Sequence, residues 1–160
     1  MASQEDGFGL ASQEDLERLS GIELLRAIIA GRGPAPAIGR TMGFRLVEVE
    51  PGRAVFECEP GPHLLNPLGT VHGGVALTLI DSAAGCAVHT ELPAGTGYTT
   101  IETKVNFTRP IAPDGRTVRC EGRVVTRGRQ IATAEARLLS ADGKILAHGT
   151  STLIILKPAG

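Results

Sequence analysis

The chemically suggestive residues of this chain lie between positions 65 and 81, in the segment LNPLGTVHGGVALTLID. Gly73 and Gly74 stand where a loop rich in glycine and proline gives way to a long apolar stretch that we predict to be a helix. The first N–H groups of a helix have no partner within it and carry partial positive charge. Because glycine lets a ligand approach the backbone closely, this helix start could stabilise a carbonyl oxygen that gains negative charge, as an oxyanion hole does.

Asp81 is the only charged side chain on the predicted helix between positions 73 and 88. It follows Gly74 by seven residues, about two helical turns, so the two positions share a helix face. A lone carboxylate on a buried helix is costly unless it is paired or functional. Two interpretations stay open on this feature alone. Asp81 is either a catalytic carboxylate, or a structural one that pairs with an arginine or caps backbone across a subunit interface.

Three further polar residues could serve the same site, and each also has an ordinary structural use. His72 could act as a general base, donate to a substrate carbonyl, or fix the loop. Asn66 could orient a water, although Asn before Pro more often shapes a turn. Thr100 lies on the strand predicted after the helix, where its hydroxyl could hold a water or simply fill the strand.

Other kinds of catalytic centre are not indicated by the sequence. Ser82 and Ser151 lack the GxSxG turn that exposes a serine nucleophile. Cys86 lies on the predicted buried helix with no activating base beside it in the sequence, and we interpret it as a core residue. The four histidines show no metal-binding spacing, so we expect no metal site.

Composition and charge limit the partners that the chain can have. Its 160 residues suit one domain with a single core. A formal net charge of −1 and an aromatic content of 3% argue against nucleic acid as a partner. No apolar run is long enough to cross a membrane, and the acidic start is unlike a secretory signal. Three cysteines form neither a disulfide framework nor a CxxC motif, so we predict a cytoplasmic protein.

The elements that must position these residues follow from hydrophobic periodicity. Apolar residues at helical spacing predict one N-terminal helix, capped by Ser12 and ended by the glycines and proline at 31–34, with a mobile tail before it. Period-2 alternation predicts a hairpin of strands at 44–50 and 53–59, and the long apolar helix covers 73–90. Four more strands are predicted at 98–108, 116–126, 129–140 and 144–156.

This order, β-β-α-β-β-β-β, favours an α+β architecture in which a long antiparallel sheet wraps a central helix. A parallel βαβ fold would need more helical crossovers than the sequence offers. The helix is apolar nearly all round, and one curved sheet covers only part of it. We therefore expect a second subunit to close the rest, giving a dimer at least.

Together, these residues resemble the signature of the hotdog-fold thioesterases. Asn66 stands six residues before His72, Gly73 and Gly74 follow that histidine, and Asp81 comes nine residues after it. The branch that the chain is most similar to is the PaaI-like acyl-CoA thioesterases of phenylacetate degradation. The segments GIELLRAIIAGRGPAPAIGRTMGFRL and NFTRP also resemble that branch, so the resemblance covers about residues 20 to 156.

The resemblance implies a hotdog domain at 36–157, preceded by a tail and helix at 1–35. It implies hydrolysis of an acyl-CoA thioester in homodimers whose sheets join, often paired into homotetramers. The site would lie at the dimer interface, with Asp81 of one subunit facing Gly73 of the other. By this similarity, the Gly73 N–H polarises the thioester carbonyl, and Asp81 acts as general base on a water or as the nucleophile.

The same resemblance gives the neighbouring residues their expected parts. Asn66 and His72 would line the carbonyl side, and Thr100 would help to hold the water. Coenzyme A is part of the substrate, so no separate cofactor is expected. Its phosphates could be held by residues at predicted strand ends, although solvated surface charge is the alternative. These residues are Arg109, Arg127, Gly128 and Arg129.

Two other functions stay open at the level of sequence. One is a hotdog hydratase or dehydratase that acts on enoyl or hydroxyacyl thioesters. The spacing of the HGG motif and Asp81 argues for hydrolysis instead. The other is a non-catalytic acyl-CoA sensor. Known hotdog regulators carry a DNA-binding domain ahead of the fold, whereas the first 35 residues here are too short for a helix-turn-helix and lack a basic patch.

Overall fold

In a computed structural model, residues 7–156 are described, and they form one antiparallel sheet wrapped on a long helix. In chain order the elements are α1 (Gln13–Arg18), α2 (Gly21–Ile29), α3 (Ala37–Met42), β1 (Phe44–Glu50), β2 (Arg53–Cys58), a 3₁₀ turn (Pro62–Leu64), α4 (Gly73–His89), β3 (Gly97–Phe107), β4 (Val118–Arg127), β5 (Ile131–Leu139) and β6 (Ile145–Leu156). The predicted order of a strand hairpin, one long helix and four further strands is confirmed.

The six strands lie in the order β1-β2-β4-β5-β6-β3, and every neighbouring pair is antiparallel. β3 is therefore an edge strand, paired only with β6 within the described part of the chain. A β-bulge interrupts this pairing between Thr100 and Glu102, after which Thr103 lies opposite Ser151. The bulge changes which β3 side chains face α4.

The sheet approaches α4 closely because small residues meet on both sides. Gly122 of β4 lies against the helix at Ala83, and a Cβ added to Gly122 would clash with the Ala83 carbonyl oxygen. Alanines supply much of the buried surface of α4. Any side chain at position 122 would push the sheet away from the helix. Over-packing of this kind destabilises a protein core.

The buried core has two parts, one along each half of α4. The part beside the N-terminal half includes Val75, Leu79, Ile80, Val118 and Leu138. The part beside the C-terminal half includes Ala84, Val88, Leu92, Ala132 and Leu153. No helix within residues 7–156 is long and apolar enough to cross a bilayer.

The prediction of a single N-terminal helix was wrong. Leu19 and Ser20 have extended backbones, with ψ of 137° and 160°, and they separate α1 from α2. Ser20 and Glu23 form a capping box in which the Ser20 N–H donates to the Glu23 carboxylate at 2.9 Å. The hydrogen bonds of the capping box end the first helix and begin α2, so one continuous helix does not form.

The predicted mobile tail lies only partly within the described residues. Residues 1–6 lie outside them. Phe8 forms a parallel bridge with Ala35, and the Gly9 N–H donates to the Ala35 carbonyl at 2.9 Å. The chain just before α1 is therefore tied to the connector that precedes α3.

Two strands start slightly later than predicted because turn bonding takes their first residues. Asp114 accepts a hydrogen bond from the Arg116 N–H at 3.1 Å, and β4 begins only at Val118. The Gly128 N–H donates to the Ile131 carbonyl at 2.8 Å, which closes the β4–β5 hairpin where β5 begins.

Candidate active site

The start of α4 has a backbone N–H group, that of Gly73, for which residues 7–156 provide no acceptor. His72 is the N-cap residue, and its Nδ1 accepts the Gly74 N–H at 2.9 Å. The His72 carbonyl accepts the Val75 N–H at 3.0 Å. Among the described residues, the Gly73 N–H has no acceptor. It points from the positive end of a 17-residue helix, where an anion or a polarised carbonyl oxygen is favoured.

A small cavity of about 320 Å³ opens beside Gly73. Phe107 at the end of β3 forms one wall, and a Cβ added to Gly73 would lie 3.3 Å from its ring. Arg109 lines the same cavity, and its Nη1 donates to the Ile145 carbonyl at 2.8 Å. Glycine at position 73 thus keeps the helix start accessible to a ligand of this cavity.

Asp81 lies half-buried on α4 and is held by hydroxyl groups. The Thr103 hydroxyl donates to its Oδ1 at 3.0 Å, and the Oγ atoms of Thr103 and Ser151 lie 2.9 Å apart. Ser151 is buried. No ion pair in the described part of the chain includes Asp81. Within one protomer, therefore, Asp81 has no arginine partner and is oriented by a neutral donor.

Thr103 is the site residue that the sequence did not indicate. Strict alternation from Thr100 would turn position 103 away from the helix. The bulge after Thr100 shifts the alternation by one residue, so that both threonines face α4, Thr100 opposite Leu153 and Thr103 opposite Ser151. Thr100 makes no hydrogen bond with Asp81 among the described contacts, and its expected part in holding a water stays a prediction.

Asn66 shapes the loop that leads to α4. Its Oδ1 accepts the N–H groups of Leu68 and Thr70, at 2.9 and 3.3 Å, and its Nδ2 donates to the Thr70 hydroxyl at 2.8 Å. These bonds are the turn chemistry that Asn before Pro favours. The side chain orders the loop within the protomer, and its expected place beside the substrate stays a prediction.

The structure does not bring the predicted coenzyme A residues together within one protomer. Arg109 lies beside Gly73, at the N-terminal end of α4. Arg127, Gly128 and Arg129 form the β4–β5 turn, next to Ala132, whose side chain packs in the core around the C-terminal half of the helix. Within a single protomer these residues therefore lie toward opposite ends of α4, because β4 packs along both halves of the helix. Phosphate binding by these residues stays a prediction.

The cysteines are unsuited to nucleophilic chemistry. Burial raises the pKa of Cys86 to about 12 and that of Cys58 to about 11, which keeps both as neutral thiols. Burial raises the pKa of Cys120 as well. Cys86 packs against the core, as predicted. No group of three potential His, Cys, Asp or Glu metal ligands is found within residues 7–156.

Gly73 and Asp81 are too far apart to act together within one protomer. They are eight residues apart on the same helix, about 12 Å along its axis. A general base and an oxyanion donor must both lie within about 3 Å of the reacting groups. Within one protomer, therefore, the Gly73 N–H and the Asp81 carboxylate cannot contact the same small group.

Comparison with known proteins defines the class of the chain. The profile of the Thioesterase superfamily matches residues 68–147. A "Putative esterase" of Saccharolobus solfataricus is 30% identical over 123 residues, which are 77% of this chain and 86% of that protein. Human acyl-coenzyme A thioesterase 13 is 27% identical over 130 residues, 80% of this chain and 91% of its own. The chain belongs to the thioesterase superfamily.

Solved structures agree with this assignment. A "putative thioesterase, phenylacetic acid degradation-related protein" of Ralstonia eutropha has a TM-score of 0.74 and 28% identity, covering 82% of this chain and 98% of its own. A variant of the phenylacetic acid degradation protein PaaI of Thermus thermophilus has a TM-score of 0.67 and 28% identity, covering 74% and 97%. The expected hotdog fold and PaaI-like resemblance are confirmed, and the protein is a thioester hydrolase.

Proposed function

We propose that the protein hydrolyses an acyl-coenzyme A thioester, releasing a carboxylic acid and coenzyme A, in a site shared by two protomers. The observation that carries the proposal is the unused Gly73 N–H at the start of α4, on the same helix as an Asp81 carboxylate oriented by Thr103. The acyl-coenzyme A thioesterases among its relatives support the choice of substrate.

A two-fold axis near Leu77 would complete the site. Gly73, Leu77 and Asp81 follow one another at four-residue intervals along α4, so they share one row of the helix surface. In an isologous contact between antiparallel helices, Gly73 lies opposite the partner's Asp81 only if Leu77 lies opposite the partner's Leu77. Leu77 is 41% exposed, which is unusual for leucine on an otherwise buried helix and suits a contact with a second copy.

The edge of the sheet supports the same arrangement. β3 offers unpaired backbone groups along its free edge, and Ile101 on it is 56% exposed. Joining the β3 edges of two protomers would satisfy these groups. We propose a homodimer of this kind, paired further into a homotetramer.

The chemistry uses one donor and one carboxylate. The Gly73 N–H of one protomer donates to the thioester oxygen, and Asp81 of the other removes a proton from a water whose oxygen attacks the carbonyl carbon. The tetrahedral oxyanion collapses, the carbon–sulfur bond breaks, and the leaving thiolate takes the proton from the Asp81 carboxyl. Direct attack by the carboxylate, through an anhydride that water then opens, uses the same two groups.

The surrounding residues would support these steps. His72 and Asn66 hold the helix start and its loop, on the carbonyl side. Thr103 orients the carboxylate, and Thr100, on the same face of β3, would hold the water. Arg109, which lines the Gly73 cavity, would contact a phosphate of coenzyme A there. Arg127, Gly128 and Arg129, toward the other end of α4, would contact a phosphate from another protomer.

The proposal is tested with a panel of acyl-CoA thioesters. Thiol release, followed with a chromogenic reagent, is expected for at least one saturated acyl-CoA. Absorbance of an enoyl-CoA is followed in parallel to detect hydration of the double bond. Hydration without thiol release would make the protein a hydratase, and tight acyl-CoA binding without turnover would make it a sensor. Either result contradicts the proposal.

A further inference from the structure

One aromatic ring packs on α4 between Asp81 and the C-terminal end of the helix. Tyr98, at the start of β3, is the only tyrosine of the chain. A Cβ added to Gly85, one helical turn beyond Asp81, would lie 2.9 Å from both Cε2 and Oη of Tyr98. The ring therefore lies directly on the helix backbone, and only glycine at position 85 leaves room for it.

His89, one helical turn beyond Gly85, also packs against the ring. The centroid of the Tyr98 ring lies 5.3 Å from that of His89, the last residue of α4. Asp81, Gly85 and His89 succeed one another by four residues, so they mark consecutive turns along one face of the helix. Tyr98 contacts the second and third of these turns, which puts it between the carboxylate and the C-terminal end of α4.

Beyond the ring lies a preformed apolar space. A cavity of about 500 Å³ has Tyr98 and His89 on one side and leucines of the N-terminal helices, Leu16, Leu19 and Leu24, on the other. Its volume falls in the range of small-molecule sites. The four side chains Leu16, Leu19, Leu24 and His89 also border a second cavity, of about 710 Å³, so the space continues between α1 and α2.

The side chain of Tyr98 is uncharged. Burial raises the pKa of Tyr98 well above its ordinary value, and the neighbouring Cys86 and Asp81 act in the same direction. The phenol therefore stays neutral at physiological pH. A neutral aromatic wall suits the end of an apolar or aryl acyl group rather than a charged one.

We propose that Tyr98 determines the length of the acyl group that the enzyme accepts. Its ring closes the acyl site at Gly85, about 6 Å beyond the level of Asp81. Short or aryl acyl groups end at the ring, while a longer chain would have to displace it to reach the leucine-lined cavity. This inference rests on the proposed function, because it requires the thioester carbon to lie beside Asp81.

The test is the chain-length profile of ring-altered variants. kcat/KM is measured for acetyl-, phenylacetyl-, hexanoyl- and dodecanoyl-CoA with wild type, Tyr98→Ala, Tyr98→Leu and, as matched control, Tyr98→Phe. Removing the ring is expected to raise the dodecanoyl-to-acetyl ratio by about tenfold to a hundredfold, a range expected when a pocket gains or loses a well-packed group. Tyr98→Phe keeps the ring and is expected to keep the wild-type profile.

A second variant tests the destination of the longer chain. Leu19→Trp, which fills the cavity beyond the ring, is added to Tyr98→Ala and is expected to bring the ratio back toward wild type. Folding of each variant is checked by circular dichroism and by its oligomeric state. If Tyr98→Ala does not fold, the chain-length profile of Tyr98→Leu is used instead. Equal ratios in wild type and the ring-removed variants overturn the inference while leaving hydrolysis intact. A wild type that releases no thiol from any of the four substrates overturns the proposed function as well.

Discussion

The two ends of α4 are built from similar small apolar residues, but their surroundings differ. At the N-terminal end, His72 is exposed, a cavity opens beside Gly73, and a backbone N–H is unused by the described residues. At the C-terminal end, the rings of His89 and Tyr98 pack against each other at a tilt of 56°, beside leucine-lined cavities that α1 and α2 also border. One end suits a polarised oxygen, and the other suits hydrocarbon. Under the proposed function, the helix would carry the groups of the chemical step, Gly73 and Asp81, apart from the residues at its C-terminal end that select the acyl group.

We therefore expect substitutions at Asp81 and at the N-terminal end of α4 to impair catalysis. Substitutions at the C-terminal end should change substrate selectivity and stability. Asp81→Asn is expected to have the largest effect, a fall in kcat of roughly 10²–10⁴-fold, because the amide cannot take a proton from water. Steady-state thiol release measures this fall. Ser82→Ala, at the next position of the same helix, serves as control and is expected to keep wild-type activity. Full activity in a folded Asp81→Asn protein would remove the carboxylate from the mechanism.

The backbone donor can be deleted at position 73 with little change to the helix. Proline is well tolerated at the first helical position, and His72 already has the extended backbone that a following proline requires. Gly73→Pro removes the N–H, whereas Gly73→Ala keeps it, and both place a Cβ near the Phe107 ring. We expect kcat of the proline variant to be roughly 10²–10³-fold below that of the alanine variant. Equal rates would show that this N–H does not stabilise the oxyanion.

The hydroxyl that orients Asp81 should have a smaller effect. Thr103→Val removes the donor at nearly constant shape, and a bond to a charged group contributes about 1.5–3 kcal/mol, so a fall in kcat of roughly 10- to 150-fold is expected. KM should change little, because Thr103 orients the base rather than holding the substrate. Thr103→Ser should restore most of the rate. A rate equally low in the serine variant would point to packing instead of hydrogen bonding.

The smallest effect concerns stability at the C-terminal end. Burial lowers the pKa of His89 in the folded protein, so the unfolded chain binds more protons between that lowered pKa and about 6.5. The contribution of His89 to stability is therefore present above pH 6.5 and is lost as the pH falls through this window. Urea unfolding at pH 7.5 and 5.5 should show a weaker pH dependence for His89→Gln than for wild type. Parallel curves would contradict this account of His89.

Much of the fold and the centre of the site could be predicted from the sequence. Alternation, turn residues and the uninterrupted apolar stretch indicated every strand and α4, because each reflects burial against one core. Gly73 and Asp81 stood out because glycine and a lone acid are unusual at the start and in the middle of a buried helix. A backbone donor at a helix start can be predicted from the sequence when the residue at that position is glycine.

The rest depended on interactions that no local pattern carries. The bulge that turns Thr103 toward Asp81 follows from strand register, which is set by pairing across the sheet. The break between α1 and α2 follows from the Ser20 capping box, a signal that is weaker than the leucine periodicity running across it. Arg109 and Arg127 both lie at strand ends in the sequence. They are far apart in the fold because β4 runs along α4, so Arg127 lies toward the opposite end of the helix from Arg109.

The central claim is that two protomers share each site, and mixed dimers test it most directly. Asp81→Asn and Gly73→Pro chains are co-expressed with different tags, and the mixed species is purified and assayed beside each parent. If Asp81 acts with the partner's Gly73, each mixed dimer holds one intact and one doubly altered site, so it should show about half of wild-type activity, or about a quarter in an unseparated equal mixture. Activity no higher than that of the two inactive parents would contradict the shared site.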